Sequence, residues 1–509
     1  MKDVPKKERK SSAPLPIEEI RLRWPGIDSV PEPDMVGLFV GNGVGSKLLQ
    51  GYLDGAPDLY MIPAYPLVYL YPHWRDWEKI PEQPLTWERA VDLFCEKHAS
   101  VIDSRRIPGF NGLRSLGRAK NEHIGLNEDY FRTVLRHFLG DKPVESRTFI
   151  LAVHYAYALA CGETLDGKKV LLYHVHNRQY LPDLLRDFPQ MKAVTMTRDP
   201  RSNFPRRLAT SYKLDAAQMT ASDTFLFRAM SNYYCTRYIF EDNQIIAGLV
   251  APERLKVVRH EDFGQRLEPT IRALCAWLGL SFSPELLKVT FGGKEWWGDD
   301  IYDMPPTNEF FGRVLSKDWM KDKGFVEWFV HEGLLLDILQ KYGYPALRYT
   351  SDGFFSRAAL FFMMLLPTRV EAGLLFFYLN PLTFARMFSA ALSNASGSLP
   401  IKDYTWSGTY LYKWSLIEFR LWETRPHVRW LQASRRLTLK TPRTPAAPIL
   451  NAAAQVIYVL GQTLRYGCAV LRLPVVYARS RRIFLSRFIE RLGGKAPLPD
   501  LLIEWDARA

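Results

Sequence analysis

Residues Val36 to Asp58, VGLFVGNGVGSKLLQGYLDGAPD, decide how the rest of the chain is read. The apolar run Val36 to Val40 has the length of a short buried strand, and Leu48, Leu49, Tyr52 and Leu53 then recur at helical spacing. Between them lies Gly41-Asn42-Gly43-Val44-Gly45-Ser46-Lys47. A glycine loop joining a strand to a helix start is suited to hold an anion: no Cβ keeps phosphate oxygens from the main chain, and the helix start carries partial positive charge. Ser46 and Lys47 add a hydroxyl and an ammonium. The nucleoside-triphosphate pattern G-x-x-x-x-G-K-[ST] is not met, because Ser46 precedes Lys47. A phosphate-loop kinase or other nucleotide-binding enzyme therefore stands as an alternative and not as the first reading.

Leu48 to Leu59, LLQGYLDGAPDL, resembles the segment that follows the 5'-phosphosulfate loop in sulfotransferases using 3'-phosphoadenosine 5'-phosphosulfate, with Ala56 where that family often has His. Leu181 to Arg201, LPDLLRDFPQMKAVTMTRDPR, is similar to the family's helix, F-P-x-x-K turn, buried strand and R-D-P-R signature. Arg254 to Val258 and then Arg259-His260-Glu261-Asp262-Phe263 resemble the strand and Y-E-D-L turn, with His260 in place of Tyr. Trp277-Leu278-Gly279-Leu280, Phe291 to Asp300, Leu315 to Trp319 and Tyr342-Gly343-Tyr344 follow in the family's order.

The resemblance implies an α/β fold, a P-loop-like and mostly parallel sheet flanked by helices, and transfer of a sulfuryl group to a hydroxyl without a metal. It implies that Gly41, Gly43, Val44, Gly45, Ser46, Lys47 and Leu48 hold the phosphosulfate end of the donor, and Arg198 the 3'-phosphate. Two positions depart from the pattern. The family's usual Lys or Arg four residues before Lys47 is Gly43 here, which leaves Lys47 as the leaving-side cation. The usual Ser eight residues after Arg198 is Arg206, whose guanidinium suits the 3'-phosphate. Lys294 in the closing loop is a third cation. These departures keep a catalytically impaired, membrane-associated binding protein of the same fold as a further alternative.

A base is needed for the acceptor proton, and His174 and His176 lie after a predicted strand, Lys169 to Tyr173. An imidazole titrates at about pH 6.5, which suits proton abstraction. Two histidines at i and i+2 share a side of a strand, yet no third metal ligand accompanies them. His154 and His260 are the runners-up.

A chain of 509 residues exceeds one core, so residues 1–33 are read as a flexible tail, 34–346 as the sulfotransferase-like domain, and 347–509 as a mainly helical extension. Five cysteines without C-x-x-C spacing, and no apolar leader, point to a reducing cytoplasmic setting. Tyr60 to Lys169, with helical patterns at Trp87 to His98 and Tyr130 to Leu139, is the expected acceptor wall. In the extension, Phe354 to Leu366 and Gly373 to Leu379 are apolar but fall short of the roughly 20 residues of a spanning helix. From Lys402 to Lys495 there are 17 Lys plus Arg against 4 Asp plus Glu, an excess of 13 that equals the net charge of the whole chain. Segregated basic charge beside short apolar helices fits a protein lying peripherally on an anionic membrane. No nucleic-acid module accompanies that charge. The expected acceptor is a hydroxylated glycan or glycolipid.

Overall fold

The computed structural model describes residues 13–39, 44–63, 67–80, 84–106, 112–175, 178–202, 246–298 and 325–367, and, towards the C-terminus, 471, 474, 475, 477, 478 and 481–493. Those up to Arg198 together with 246–298 form one compact unit, and those from Asp199 to Ser202 together with 325 onward form a second.

In chain order the first unit contains α1 (Ile17–Arg23), β1 (Asp34–Phe39), α2 (Ser46–Leu53), β2 (Leu59–Met61), α3 (Leu70–Glu78), α4 (Trp87–Lys97), α5 (Glu128–Leu139), α6 (Ser146–Ala160), β3 (Val170–Val175), α7 (Leu181–Asp187), β4 (Lys192–Thr197), β5 (Leu255–Arg259), α8 (His260–Gln265), α9 (Leu267–Leu278) and a hairpin of β6 (Thr290–Phe291) and β7 (Lys294–Glu295). Strands β1 to β5 make one parallel sheet in the order β2-β3-β1-β4-β5. Their near-continuous apolar character follows from that arrangement, since helices cover both faces. Lateral partners share a face, so Gly37, Tyr173 and Ala193 point one way, and Leu38, His174 and Val194 the other. The first face carries α6, whose Tyr155 and His154 rings lie 5.2 and 6.4 Å from Tyr60 and Tyr173, and α7, whose Leu184 abuts Gly37. The second carries α2, through Gln50 and His174, and α9, whose Trp277 carbonyl accepts from Lys192 Nζ at 3.1 Å.

The segment read as a mobile tail is folded from residue 15 onward. Ile20, Trp24, Ile27 and Val30 are buried, the Leu15 carbonyl accepts from Tyr130 at 2.7 Å, and the Trp24 carbonyl meets His137 Nε2 at 2.7 Å. Charged residues interleave these apolar ones, so composition masked an amphipathic turn that α5 covers.

The second unit is helical: α10 (Phe325–Lys341), α11 (Phe354–Met364) and a helix over 481–492. A Cβ on Gly333 of α10 would stand 2.7 Å from a Leu360 methyl of α11, so a larger residue there would force the leucine to move. Arginines anchor the last helix. Arg481 donates to the Met364 and Leu366 carbonyls at the end of α11, Arg487 Nε to the Leu334 carbonyl at 3.0 Å, and Arg491 pairs with Asp352 at 2.7 Å. Cations at a helix C-terminus meet the carbonyls that the helix leaves unbonded. Among the described residues, no helix is long and apolar enough to cross a membrane.

Candidate functional site

The connections leaving β1 lead to one side of the sheet, towards β2 and β3, and the one leaving β4 leads to the other, towards β5. Parallel sheets bind ligands beyond the carboxyl ends of the strands where this reversal occurs, here between β1 and β4. Phe39 pairs with both Val175 and Thr195, and Thr197 pairs with Arg259, so β4 and β5 run further than β1 and end level with each other. Gly45 caps α2 at φ +94°, and a Cβ there would lie 2.3 Å from His260 Nδ1. Both conditions demand glycine. Because β4 lies between β1 and β5, the contact of Gly45 with His260 carries the cradle across the end of β4, where Thr197 and Arg198 stand.

Every residue of α2 is buried, including Ser46, Lys47 and Leu48, and Arg198 is only 4% exposed. Lysine and arginine rarely accept such burial without an anion in reach. Thr197 is fully buried, and its hydroxyl has no hydrogen-bond partner among the described residues. Beside the cradle, burial pushes the Asp262 carboxyl above its ordinary range despite the Arg259 guanidinium, which chelates it through two bonds of 2.8 Å.

The other half of α2 holds different partners. Gln50 Oε1 lies 3.3 Å from His174 Nδ1, and Gln50 Nε2 donates to the Ile62 carbonyl at 3.3 Å. Asp54, which closes the helix, accepts from Thr290 Oγ1 at 2.7 Å and from the amides of Gly292 and Gly293 at 3.1 and 2.9 Å. Asp58 accepts from the Ser281 amide at 2.7 Å. Asp54 thus fixes the β6–β7 hairpin, and with it Lys294, to the end of α2 remote from Gly45. Lys294 pairs with Glu122 at 2.6 Å.

Residues 45–284 match the profile described as the sulfotransferase family. That segment belongs to the sulfotransferase family. Among solved structures, the sulfotransferase domain from the curacin biosynthetic pathway aligns at 12% identity over 56% of this chain and 97% of its own, with a TM-score of 0.32. Sulfotransferase STF9 from Mycobacterium avium aligns at 13% identity over 60% and 80%, TM-score 0.28. STF1 from Mycobacterium tuberculosis H37Rv aligns at 17% over 59% and 81%, TM-score 0.27. No curated protein matches in sequence.

Within this sulfotransferase domain the structure brings Val44, Gly45, Ser46, Lys47, Leu48 and Arg198 to neighbouring strand ends and sets His174 beside the middle of α2. Gly41, Gly43, His176 and Arg206 lie outside the described residues. Strand β3 extends two residues beyond the predicted end, so His174 is inside the strand, opposite Leu38 and 3% exposed. His154 lies on the opposite face of the sheet, with its Nδ1 2.7 Å from the Ile150 carbonyl, and burial drives its pKa down to about 4. It is a core histidine. Among the described residues, no three His, Cys, Asp or Glu side chains are grouped to hold a metal. The residues that sequence reasoning missed are Gln50, Asp54 and Asp58. The two aspartates flank the Gly55-Ala56-Pro57 turn, a visible sign of capping, but their partners are more than 200 positions away.

The last arginine of the R-D-P-R signature has a separate task in the second unit. Arg201 pairs with Asp199 at 2.7 Å and Glu332 at 2.6 Å, and donates to the Pro345 carbonyl at 2.8 Å. The other Glu332 oxygen accepts the amides of Leu347, Arg348 and Tyr349 at 2.8, 2.5 and 3.0 Å.

Proposed function

We propose that the chain moves a sulfuryl group from 3'-phosphoadenosine 5'-phosphosulfate to a hydroxyl of a carbohydrate or lipid-linked acceptor at an anionic membrane surface. The observation that carries the donor half is the gathering, at adjoining strand ends, of an irreplaceable Gly45, the buried cations Lys47 and Arg198, and the Thr197 hydroxyl. Buried cations beside a helix start suit a ligand that is anionic at both ends. In this reading the first amides of α2, Ser46 and Lys47 take the phosphosulfate end, and Arg198, with Arg206, takes the 3'-phosphate. The donor supplies an activated sulfuryl group. The residues hold it in line, Lys47 offsets charge on the leaving phosphate, and His174 receives the acceptor proton.

The membrane half rests on α11, where Phe354, Phe355 and Phe362 are 79, 85 and 68% exposed, and on the basic excess that follows in the sequence. Aromatic rings beside arginines suit the headgroup boundary of anionic bilayers.

Titration calorimetry with adenosine 3',5'-bisphosphate and with ATP tests the donor assignment. Tighter binding of the bisphosphate is expected, and preference for ATP would return the chain to the phosphate-loop kinases. Labelled donor offered with hydroxylated glycans and glycolipids then tests transfer; donor-product binding without transfer to any of them would leave a binding protein of this fold. Flotation with anionic vesicles should fall when Phe354, Phe355 and Phe362 are changed to serine, and undiminished flotation would remove α11 as the contact.

A further inference from the structure

Gln50 is completely buried in the middle of α2 and bridges two strand ends of the sheet. Its amide nitrogen donates to the carbonyl of Ile62, just beyond β2, at 3.3 Å. A carbonyl can only accept, so this bond fixes which end of the amide is nitrogen. The oxygen then faces His174 Nδ1 at 3.3 Å, and an amide oxygen can only accept as well. His174 must therefore carry its proton on Nδ1. A neutral imidazole has one N–H, so the lone pair is on Nε2.

Resting on the proposed role of His174 as the base, we propose that Gln50 is the positioning residue that fixes its tautomer and ring orientation, leaving Nε2 to receive the proton of the acceptor hydroxyl. As the hydroxyl oxygen bonds to sulfur, its proton passes to Nε2 and the bond from sulfur to the donor's bridging phosphate oxygen breaks, that oxygen keeping the electron pair. A third group that orients the base is the common logic of activated hydroxyl chemistry. Glutamine does this without charge. A carboxylate in the same place would favour the imidazolium and keep the ring protonated to higher pH, at the expense of its use as a base near neutrality. The chain thus sets the tautomer by a neutral relay, from the Ile62 carbonyl through Gln50 to His174.

Long-range proton–nitrogen spectra of the full chain labelled with 15N-histidine test this without turnover, the His174 signals being those lost in His174→Gln. The expected result is an Nδ1–H tautomer with bare Nε2 in the unaltered protein. Gln50→Leu should bring in the Nε2–H form, and the isosteric Gln50→Glu should keep the ring doubly protonated to higher pH. An Nε2–H tautomer in the unaltered protein overturns the proposal, whether or not any variant folds; so does a His174 spectrum unmoved by Gln50→Leu. Where transfer is measurable, Gln50→Leu should lower kcat roughly tenfold or more with KM little changed. Absence of any transfer would sink the sulfotransferase reading while the tautomer result stood, so the two failures are separable.

Discussion

Arg198 and Arg201 stand three residues apart in one signature, both buried, yet their surroundings differ in kind. Around Arg201 the charges alternate in sign: two carboxylates, Asp199 and Glu332, enclose one guanidinium, and three main-chain amides close the outer oxygen of Glu332. At the end of β4, Arg198 is buried beside Thr197 in the sequence, and Lys47 is buried in the first turn of α2. Matched charge is what a scaffold needs to bury ions at tolerable cost. In the proposed reading, the cations at the end of β4 serve the anionic donor. On that reading the first arginine serves the donor, while the last is bonded into the frame.

The largest effect should come from breaking the frame. Glu332→Ala would take from the buried Arg201 cation one of its two carboxylates and from the amides of Leu347, Arg348 and Tyr349 their acceptor, a loss on the order of 3–5 kcal/mol. Chemical denaturation of the full chain should show a transition lowered accordingly. Glu332→Gln, which keeps an acceptor for the amides, should be milder. If Glu332→Ala unfolds at the denaturant concentration of the unaltered protein, the contrast with Arg198 has no basis.

Arg198→Ala should act on binding. A bidentate guanidinium–phosphate contact contributes about 1.5–3 kcal/mol, so affinity for adenosine 3',5'-bisphosphate should drop roughly 10–150-fold by calorimetry. Weakening of less than about threefold would detach Arg198 from the nucleotide and leave both arginines structural.

The same division separates two histidines on opposite faces of the sheet. His174 is held by a side chain from α2; His154 is held by its own helix, and burial lowers its pKa to about 4. The unfolded chain, with a histidine near about 6.5, binds more protons than the native state between these values, so stability falls as pH drops through that window. For this one group the loss by pH 5 is about 2 kcal/mol. His154→Leu should flatten the acid side of the stability profile, and an unchanged slope between pH 8 and pH 5 would show that His154 is not the group responsible.

What sequence made legible follows the range of the interactions. Strand, glycine turn and helix between Asp34 and Leu53 are local, and each residue's spacing speaks for itself. R-D-P-R announces itself as a tetrapeptide. Glu332 lies 131 positions from Arg201, and Asp54 binds a hairpin 236 to 239 positions later, so their roles exist only once the chain has folded. Gln50 was hidden for another reason: on a helix it reads as a polar residue at an ordinary position, and only the Ile62 carbonyl and His174 give it direction. His174 lies one residue past the strand end that the apolar run predicts, whereas β3 continues to Val175 and buries it.

Lys294 lies between the two classes and should give the smallest effect. By sequence it is a cation of the closing loop; by geometry it joins Glu122, both side chains about one-third or more exposed. Such a pair is worth less than about 1 kcal/mol, because water screens it and both chains lose freedom in forming it. Lys294→Ala should therefore move the denaturation midpoint little and change bisphosphate affinity by less than about threefold. A loss comparable to that of Arg198→Ala would mean that the lysine leaves Glu122 for the nucleotide, and that the hairpin held by Asp54 is part of the site and not of its frame.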